Sequence, residues 1–282
     1  MIFYLLTLLL AYIIYVIFYK WTMGICKCQI QMTDKVVIIT GANTGIGYET
    51  ALDMAKRNAK VILACRSIDK GIVARDSIIA ATGNKNIDVL INNAGMGNLD
   101  NSLTEDNLPI EVQVNYLSPY LLTLLLLPLL KASAPSRIIN VSSALHWLGA
   151  VDLQTFHKQA RSNLSKRRQY CNTKLANILF TVKLSEVLKD TNVTANALHP
   201  GAVYTDILRE KHGFFRLMAK VFFKNRWEGA QTTIHLAVSP DLANVSGKYF
   251  SDCVESFTSK AAKDPKLAND LWELSNSLVF AK

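Results

Sequence analysis

The chain has 282 residues, 50% of them hydrophobic, which is enough to bury one sizeable core, and no internal repeat or low-complexity tract divides it. Its formal charge of +9 would suit nucleic acid, but neither an aromatic-plus-basic RNA signature nor a zinc spacing accompanies the charge, and that class is set aside. An anionic membrane surface fits it better.

The first elements point the same way. Met1 through Tyr19 has no charged side chain, and at about 1.5 Å per residue it reaches roughly 28 Å, close to a hydrocarbon core of about 30 Å. It starts with Ile2-Phe3-Tyr4 and exits through Tyr19-Lys20-Trp21, so it lacks the basic start and small-residue cleavage site of a signal peptide. Residues 1–19 are therefore read as a membrane anchor, 20–33 as a linker and 34–282 as one α/β domain. Lys20, Lys27 and Lys35 all follow the anchor, which by positive-inside bias places the domain in the cytosol. The sequons at Asn140, Asn163, Asn192 and Asn244 then stay bare. Five cysteines, an odd number without metal-ligand spacing, read as reduced thiols, and no metal is expected.

Past the linker, Val36-Val37-Ile38-Ile39 reads as a strand, and Thr40-Gly41-Ala42-Asn43-Thr44-Gly45-Ile46-Gly47 as a glycine turn opening a helix. That order makes a diphosphate site, because glycines admit close backbone approach and the helix dipole favours the anion. A second strand, Lys60 to Arg66, follows. Asp88-Val89-Leu90-Ile91 predicts a third, ending in Asn92-Asn93-Ala94-Gly95. Leu121 to Leu130 is very apolar but short and carries Pro128, which predicts a core helix rather than a span. Arg137 to Ser142 is a strand ending at Ser143. A polar stretch with Lys158, Arg161, Lys166, Arg167 and Arg168 reads as a solvated loop, and His146 and His157 as structural residues.

Tyr170-Cys171-Asn172-Thr173-Lys174 precedes the helical pattern Leu175, Ile178, Leu179, Val182. Spacing of i,i+4 sets phenol and ammonium on one helix face, where the cation would draw the phenol's pKa from near 10 toward the working range. Asn192 to Leu198 is a further strand, delivering His199-Pro200-Gly201. Residues 207–226 interleave Phe214, Phe215, Phe222 and Phe223 with Arg216, Lys220, Lys224 and Arg226, an amphipathic basic helix suited to a membrane surface. A helix from Trp227, a strand from Lys248 to Phe250 and a closing helix with Leu267, Leu271 and Leu274 complete the chain.

Taken together, the glycine turn, Asn92-Asn93-Ala94-Gly95, Val141-Ser142-Ser143, Tyr170/Lys174 and Pro200-Gly201 resemble the short-chain dehydrogenase/reductase family over about residues 34 to 280. Ala64-Cys65-Arg66, Lys174 to Phe180 and Gly247 to Cys253 resemble its microsomal retinol dehydrogenase branch. The resemblance implies a Rossmann-type doubly wound parallel sheet. It implies Gly41, Asn43, Thr44, Gly45, Ile46 and Gly47 for the cofactor diphosphate, Asn93, Ala94 and Gly95 beside it, and Pro200, Gly201 and Thr205 for the nicotinamide side. Arg66 stands where an arginine would pair with a 2′-phosphate, implying NADP(H). Asn115, Ser143, Tyr170 and Lys174 occupy the catalytic positions: relay asparagine, oxygen-holding serine (Ser142 being the fallback), proton donor, and a lysine that also binds the nicotinamide ribose.

Two departures stand out. Ser118 replaces a glycine. More seriously, Ser67 to Asn86 leaves room for one helix and two turns where the family has a helix, a strand and another helix. The sheet should therefore lack an edge strand and its helix, the remaining helix should move to the opposite face to keep a right-handed crossover, and adenine should lose a wall. The function implied is an NADP(H)-dependent oxidoreductase interconverting a lipophilic alcohol and its carbonyl, retinol/retinal first and sterols or lipid aldehydes next. Its setting would be the endoplasmic reticulum membrane, with lipid and a small lipophilic substrate as partners and homo-oligomerisation left open. The competing reading is a catalytically impaired homologue acting by binding.

Overall fold

The computed structural model describes residues 2–66, 68–82, 91–97, 102–160, 162–205 and 222–280. Asp88 to Leu90 of the expected strand, Arg161 and most of the 207–226 segment lie outside them. α1 (Ile2–Thr22) is an apolar helix that exposes large side chains such as Leu8, Leu10, Ile14 and Ile17. Phe222 packs against it, its ring 5.2 Å from that of Tyr12.

Two strands on one side of the sheet, β1 (Val36–Thr40) and β2 (Lys60–Ala64), pair in parallel. On the other side β3 (Ser136–Val141), β4 (Val193–His199) and β5 (Tyr249–Ser251) are parallel, and the short β6 (Val254–Glu255) closes the edge antiparallel. Ile91 and Asn92 stitch the halves together: the Thr40 amide donates to the Ile91 carbonyl and the Val141 amide to the Asn92 carbonyl. The order is thus β2, β1, residues 91–92, β3, β4, β5, β6.

Near-continuous apolar runs form these strands because both faces are covered. Their alternate residues serve two cores. Ile138, Ala197 and Tyr249 face one layer, and their neighbours Ile139, Leu198 and Phe250 the other. The first layer holds α4 (Ile110–Val112), a π-helical turn (Gln113–Leu117), α5 (Ser118–Ala132), α6 (Asn163–Val187) and α8 (Pro265–Phe280). The second holds α2 (Gly45–Lys56), α3 (Ile68–Thr82) and α7 (Arg226–Val238).

The expected loss at the sheet edge is visible. Among the described residues no strand pairs with the outer edge of β2. Val61 is fully buried toward α2, whereas Ile62, on the opposite face, is 37% exposed where a doubly wound sheet would be covered. The helix itself does not move as expected. α3 stays on the α2 face, where Ile78 joins the core around Met54 and Ala55. That layer offers an apolar seat for Ala74 and Ile78, and packing onto it outweighs the crossover preference.

Two smaller expectations also change. Lys166, Arg167 and Arg168 are not in a loop: a capping box between Ser162 and Ser165 starts α6 at Asn163 and makes them helical. α5 is a core helix on one face only. Tyr120 and Thr123 are buried, while Leu125 and Leu129 are exposed.

Candidate active site

After β1 the chain turns through Gly41 and Gly45, both with positive φ (66° and 62°), a backbone region in which side chains are strained. Thr44 is extended and its side chain does not cap α2, so the helix opens with its first-turn amides directed past the glycine turn. The turn is closed from behind: Thr40 Oγ1 accepts from the amides of Asn93 and Ala94, and Asn93 Nδ2 donates to the Thr40 carbonyl. A Cβ on Gly47 would stand 2.6 Å from both Asn93 Nδ2 and the Gly41 carbonyl oxygen, so this packing requires glycine. Asn43 and Ile46 lie half-buried in the same turn. Thr205 faces Gly45, its Cγ2 3.7 Å from where a Cβ would be. Glycine turn, Asn93 to Gly95 and Thr205 therefore meet at the C-terminal ends of the strands, with a helix N-terminus aimed at whatever anion sits there. Arg66 is exposed just past β2, on the outer strand of the described sheet.

Asn115 lies in the π-helical turn, a local widening that re-aims its side chain. Its Nδ2 donates to the Met96 carbonyl (2.8 Å) and to Thr173 Oγ1 (3.2 Å), and its Oδ1 accepts from the Met96 amide (2.8 Å). Asn115 thus fixes the backbone beyond Gly95. Lys174, almost wholly buried, brings its Nζ to within 3.4 Å of a Cβ position on Gly95, and Asn115 Oδ1 is 3.5 Å from the same point.

Lys174 Nζ donates to the Val141 carbonyl at 2.9 Å and stands 5.6 Å from the centre of the Tyr170 ring. Ser143 lies close enough to the Tyr170 phenol to lower its pKa, and Ser143 Oγ accepts from the Leu145 amide at 3.2 Å. Ser142, the fallback, is occupied elsewhere: its Oγ donates to the Lys174 carbonyl at 2.6 Å, tying β3 to α6. His146 is structural as expected, fully buried between the Ser143 carbonyl and the Ser259 amide.

The electrostatics correct one expectation. Desolvation pushes the Tyr170 phenol up to about 12, outweighing the lowering effect of Ser143, rather than down toward neutrality. Lys174 is itself drawn down to about 8 by burial, so its charge is held at a cost and is a weak lever on its neighbour.

Sequence reasoning missed two charged groups. Glu111, 1% exposed, lies close enough to raise the pKa of Tyr170, Cys171 and Lys174. Lys224, assigned to the membrane-facing amphipathic segment, is instead 2% exposed and pairs with Asp252 at 2.5 Å. Its stem packs under Gly201, where a Cβ would meet it at 2.7 Å, and Gly201 has φ 93°. The Pro200–Gly201 turn therefore rests on a buried lysine whose charge is paired with the partly exposed Asp252. Alternation of apolar and basic residues gave no sign of this, because Asp252 arrives from β5's far end.

A parallel sheet covered on both faces, with a glycine turn opening α2 and a serine–tyrosine pair at the rim, defines a dinucleotide-binding oxidoreductase fold. The family model for "short chain dehydrogenase" matches residues 35–85 and 74–213, and the chain belongs to that family. The two matched pieces divide within the shortened segment. Bovine retinol dehydrogenase 12 is 41% identical over 288 residues, covering 91% of this chain and 90% of its own. Mouse retinol dehydrogenase 11 is 39% identical over 311 residues, covering 98% and 97%. Among solved structures, an uncharacterised protein from Mycobacterium paratuberculosis superposes with a TM-score of 0.70 at 29% identity, covering 91% of this chain and 97% of its own. Nicotinamide cofactors are the family's redox partner.

Proposed function

We propose that the protein is a membrane-anchored, NADP(H)-dependent oxidoreductase that interconverts a lipophilic alcohol and its aldehyde or ketone, with retinol and retinal as the leading pair. One observation carries the reading: Lys174 and Asn115 converge on Gly95, beside the turn that opens α2, and the same ammonium stands 5.6 Å from the ring of Tyr170, which has Ser143 as its neighbour. The residues fit a dinucleotide. Uncapped α2 amides and Gly41, Asn43, Thr44, Gly45, Ile46 and Gly47 would hold the diphosphate, Asn93, Ala94 and Gly95 the adjoining ribose side, and Pro200, Gly201 and Thr205 the nicotinamide end. When bound, the nicotinamide exchanges a hydride with the substrate carbon.

The chain's own groups handle the oxygen. Ser143 holds the substrate oxygen by hydrogen bonding, and Tyr170, a phenol that keeps its proton at neutral pH, donates that proton to the nascent alkoxide. Lys174 is positioned to bind the ribose, and Asn115 holds the strand-end backbone on which the ribose would rest. A protonated tyrosine favours carbonyl reduction as the working direction.

Arg66 supports NADP(H) over NAD(H). Arg66→Ala should weaken NADPH binding by roughly 10- to 100-fold, the ~1.5–3 kcal/mol of a charge-assisted bond, and leave NADH binding unchanged. Equal losses for both cofactors would remove the assignment. The bare edge at β2 also has a consequence. Losing about 50 Å² of apolar wall beside adenine costs ~1.3 kcal/mol, so NADPH should bind roughly tenfold more weakly than to a full-length relative titrated alongside. The same bare edge favours the second reading, a homologue that binds without turning over.

The long apolar α1, the excess of basic residues and the ring contact of Phe222 with α1 support an anchor in the endoplasmic reticulum membrane with the domain on the cytosolic side. The deciding experiment assays microsomes containing the chain with NADPH and all-trans-retinal, beside Tyr170→Phe. Turnover abolished in the variant supports the oxidoreductase; background signal in both supports the binding reading.

A further inference from the structure

Outside the active site, the linker that follows α1 makes an arrangement its spacing does not announce. Cys26 Sγ, Cys28 Sγ and a ring nitrogen of His235 all lie within 4.8 Å of one another, the three side chains half-buried. The convergence is held by the backbone. Arg57, which caps the C-terminus of α2, donates from Nη1 to the carbonyls of Cys28 (2.8 Å) and Ile30 (3.0 Å), and the Cys26 amide donates to Gln231 Oε1 at 3.2 Å. Gln231 sits one turn ahead of His235 on α7, so a single helix face both grips the linker and presents the imidazole to it.

We propose that Cys26, Cys28 and His235 form a zinc site that clips the post-anchor linker to α7. Two sulfurs and an imidazole nitrogen make a soft donor set, matched to zinc rather than to calcium or magnesium. With Zn–S near ~2.3 Å and Zn–N near ~2.0 Å, tetrahedral edges come to about 3.5–3.8 Å, so the trio closes by no more than about 1.3 Å. Side chains on a linker and a partly exposed helix face can make that adjustment. Two thiolates neutralise the divalent ion. Arg57, held on the Cys28 carbonyl, and Arg137, held on the Leu236 and Ser239 carbonyls, add fixed positive charge beside the trio, which two thiolates on a divalent ion would offset. Cys253, whose backbone amide donates to Thr232 Oγ1 at 3.3 Å, is not part of the trio, and water would fill the fourth position.

The clip has a mechanical effect. It joins a point four residues beyond α1 to the helix that begins just after the substrate-side segment, fixing how the domain sits on its anchor. It also closes a loop of most of the chain, so metal binding adds to folding stability.

The test uses the full-length chain in detergent micelles with its thiols reduced, dialysed against buffered zinc and then assayed for bound metal. One zinc per chain is expected, falling below a tenth of that in Cys26→Ser, Cys28→Ser and His235→Ala, and unchanged in Cys65→Ser. Because a variant could bind nothing through misfolding, cobalt is added to the unmutated chain as an independent probe. It should give thiolate charge-transfer and tetrahedral ligand-field bands that zinc displaces. Three results would overturn the proposal: no zinc retained by the fully reduced chain, His235→Ala binding zinc as well as the unmutated chain does, or thiol titration showing Cys26 and Cys28 joined as a disulfide. The second would mean an adventitious dithiol site only.

Discussion

Tyr170→Phe is expected to lower kcat for carbonyl reduction by about 10²–10⁴-fold, the usual contribution of a positioned proton donor, while the melting temperature stays the same or rises slightly. The ring remains to fill its half-buried place on α6. Only the hydroxyl goes, and the neighbouring Ser143 keeps its bond from the Leu145 amide. The phenol's position near 12 also sets the sign of the pH response. In reduction the protonated form is needed, and it is present in full from about pH 6 to about pH 9, so this group causes no decline there. In alcohol oxidation the phenolate is needed, and its population climbs about tenfold per pH unit over the same range. Single-turnover NADPH oxidation with retinal, and the reverse reaction with retinol across pH, measure both. A variant keeping more than a tenth of the original kcat, or an oxidation rate flat with pH, would take the proton-donor role away from Tyr170.

How much of this was legible beforehand follows from where each signal resides. The helix carrying Tyr170 and Lys174, the glycine turn and the parallel strands all declare themselves locally, through i,i+4 spacing, permissive glycines and unbroken apolar runs. The bare outer edge of β2 among the described residues was also readable, since a strand needs residues and Ser67 to Asn86 has too few. Ser143 could not be separated from Ser142 until the fold turned one toward Tyr170 and the other toward the Lys174 carbonyl. Which face α3 chose depended on the apolar layer of α2, formed by residues distant from it in sequence. Glu111, the Lys224–Asp252 pair and the approach of His235 to Cys26 and Cys28 escaped for the same reason. Each joins residues whose types alone suggest solvent or idle thiols, and only burial gives them a role. Burial also reversed the expected direction for Tyr170, because the distance between two charges can be guessed from helix spacing and the loss of water around them cannot.

Lys174→Met tests that last point from the stability side and should separate activity from stability. Lys174 is 4% exposed, and burial lowers its pKa from 10.5 to about 8. A depressed lysine is a destabilising charge: between about pH 8 and 10.5 the unfolded chain binds more protons than the folded one, so stability from this group increases as pH rises through that window. Below about pH 8 both states are protonated and the penalty is present in full; above about 10.5 both are neutral and it is gone. Some 2–3 pKa units correspond to ~3 kcal/mol, from which the lost bond to the Val141 carbonyl removes ~1, leaving a net gain for methionine on the order of 2 kcal/mol at neutral pH. Chemical denaturation of the two proteins in the same micelles should show the variant more stable at pH 7 and the gap narrowing toward pH 10. Its kcat/KM should fall by at least about 10²-fold, since the ammonium is the one buried cation facing Gly95 among the described residues that could meet a ribose hydroxyl. A protein that retains a buried charge against its own stability is retaining it for a ligand. If Lys174→Met proves less stable at neutral pH, the ammonium is a structural tie between β3 and α6, and the assignment of Lys174 to ribose binding loses its physical basis.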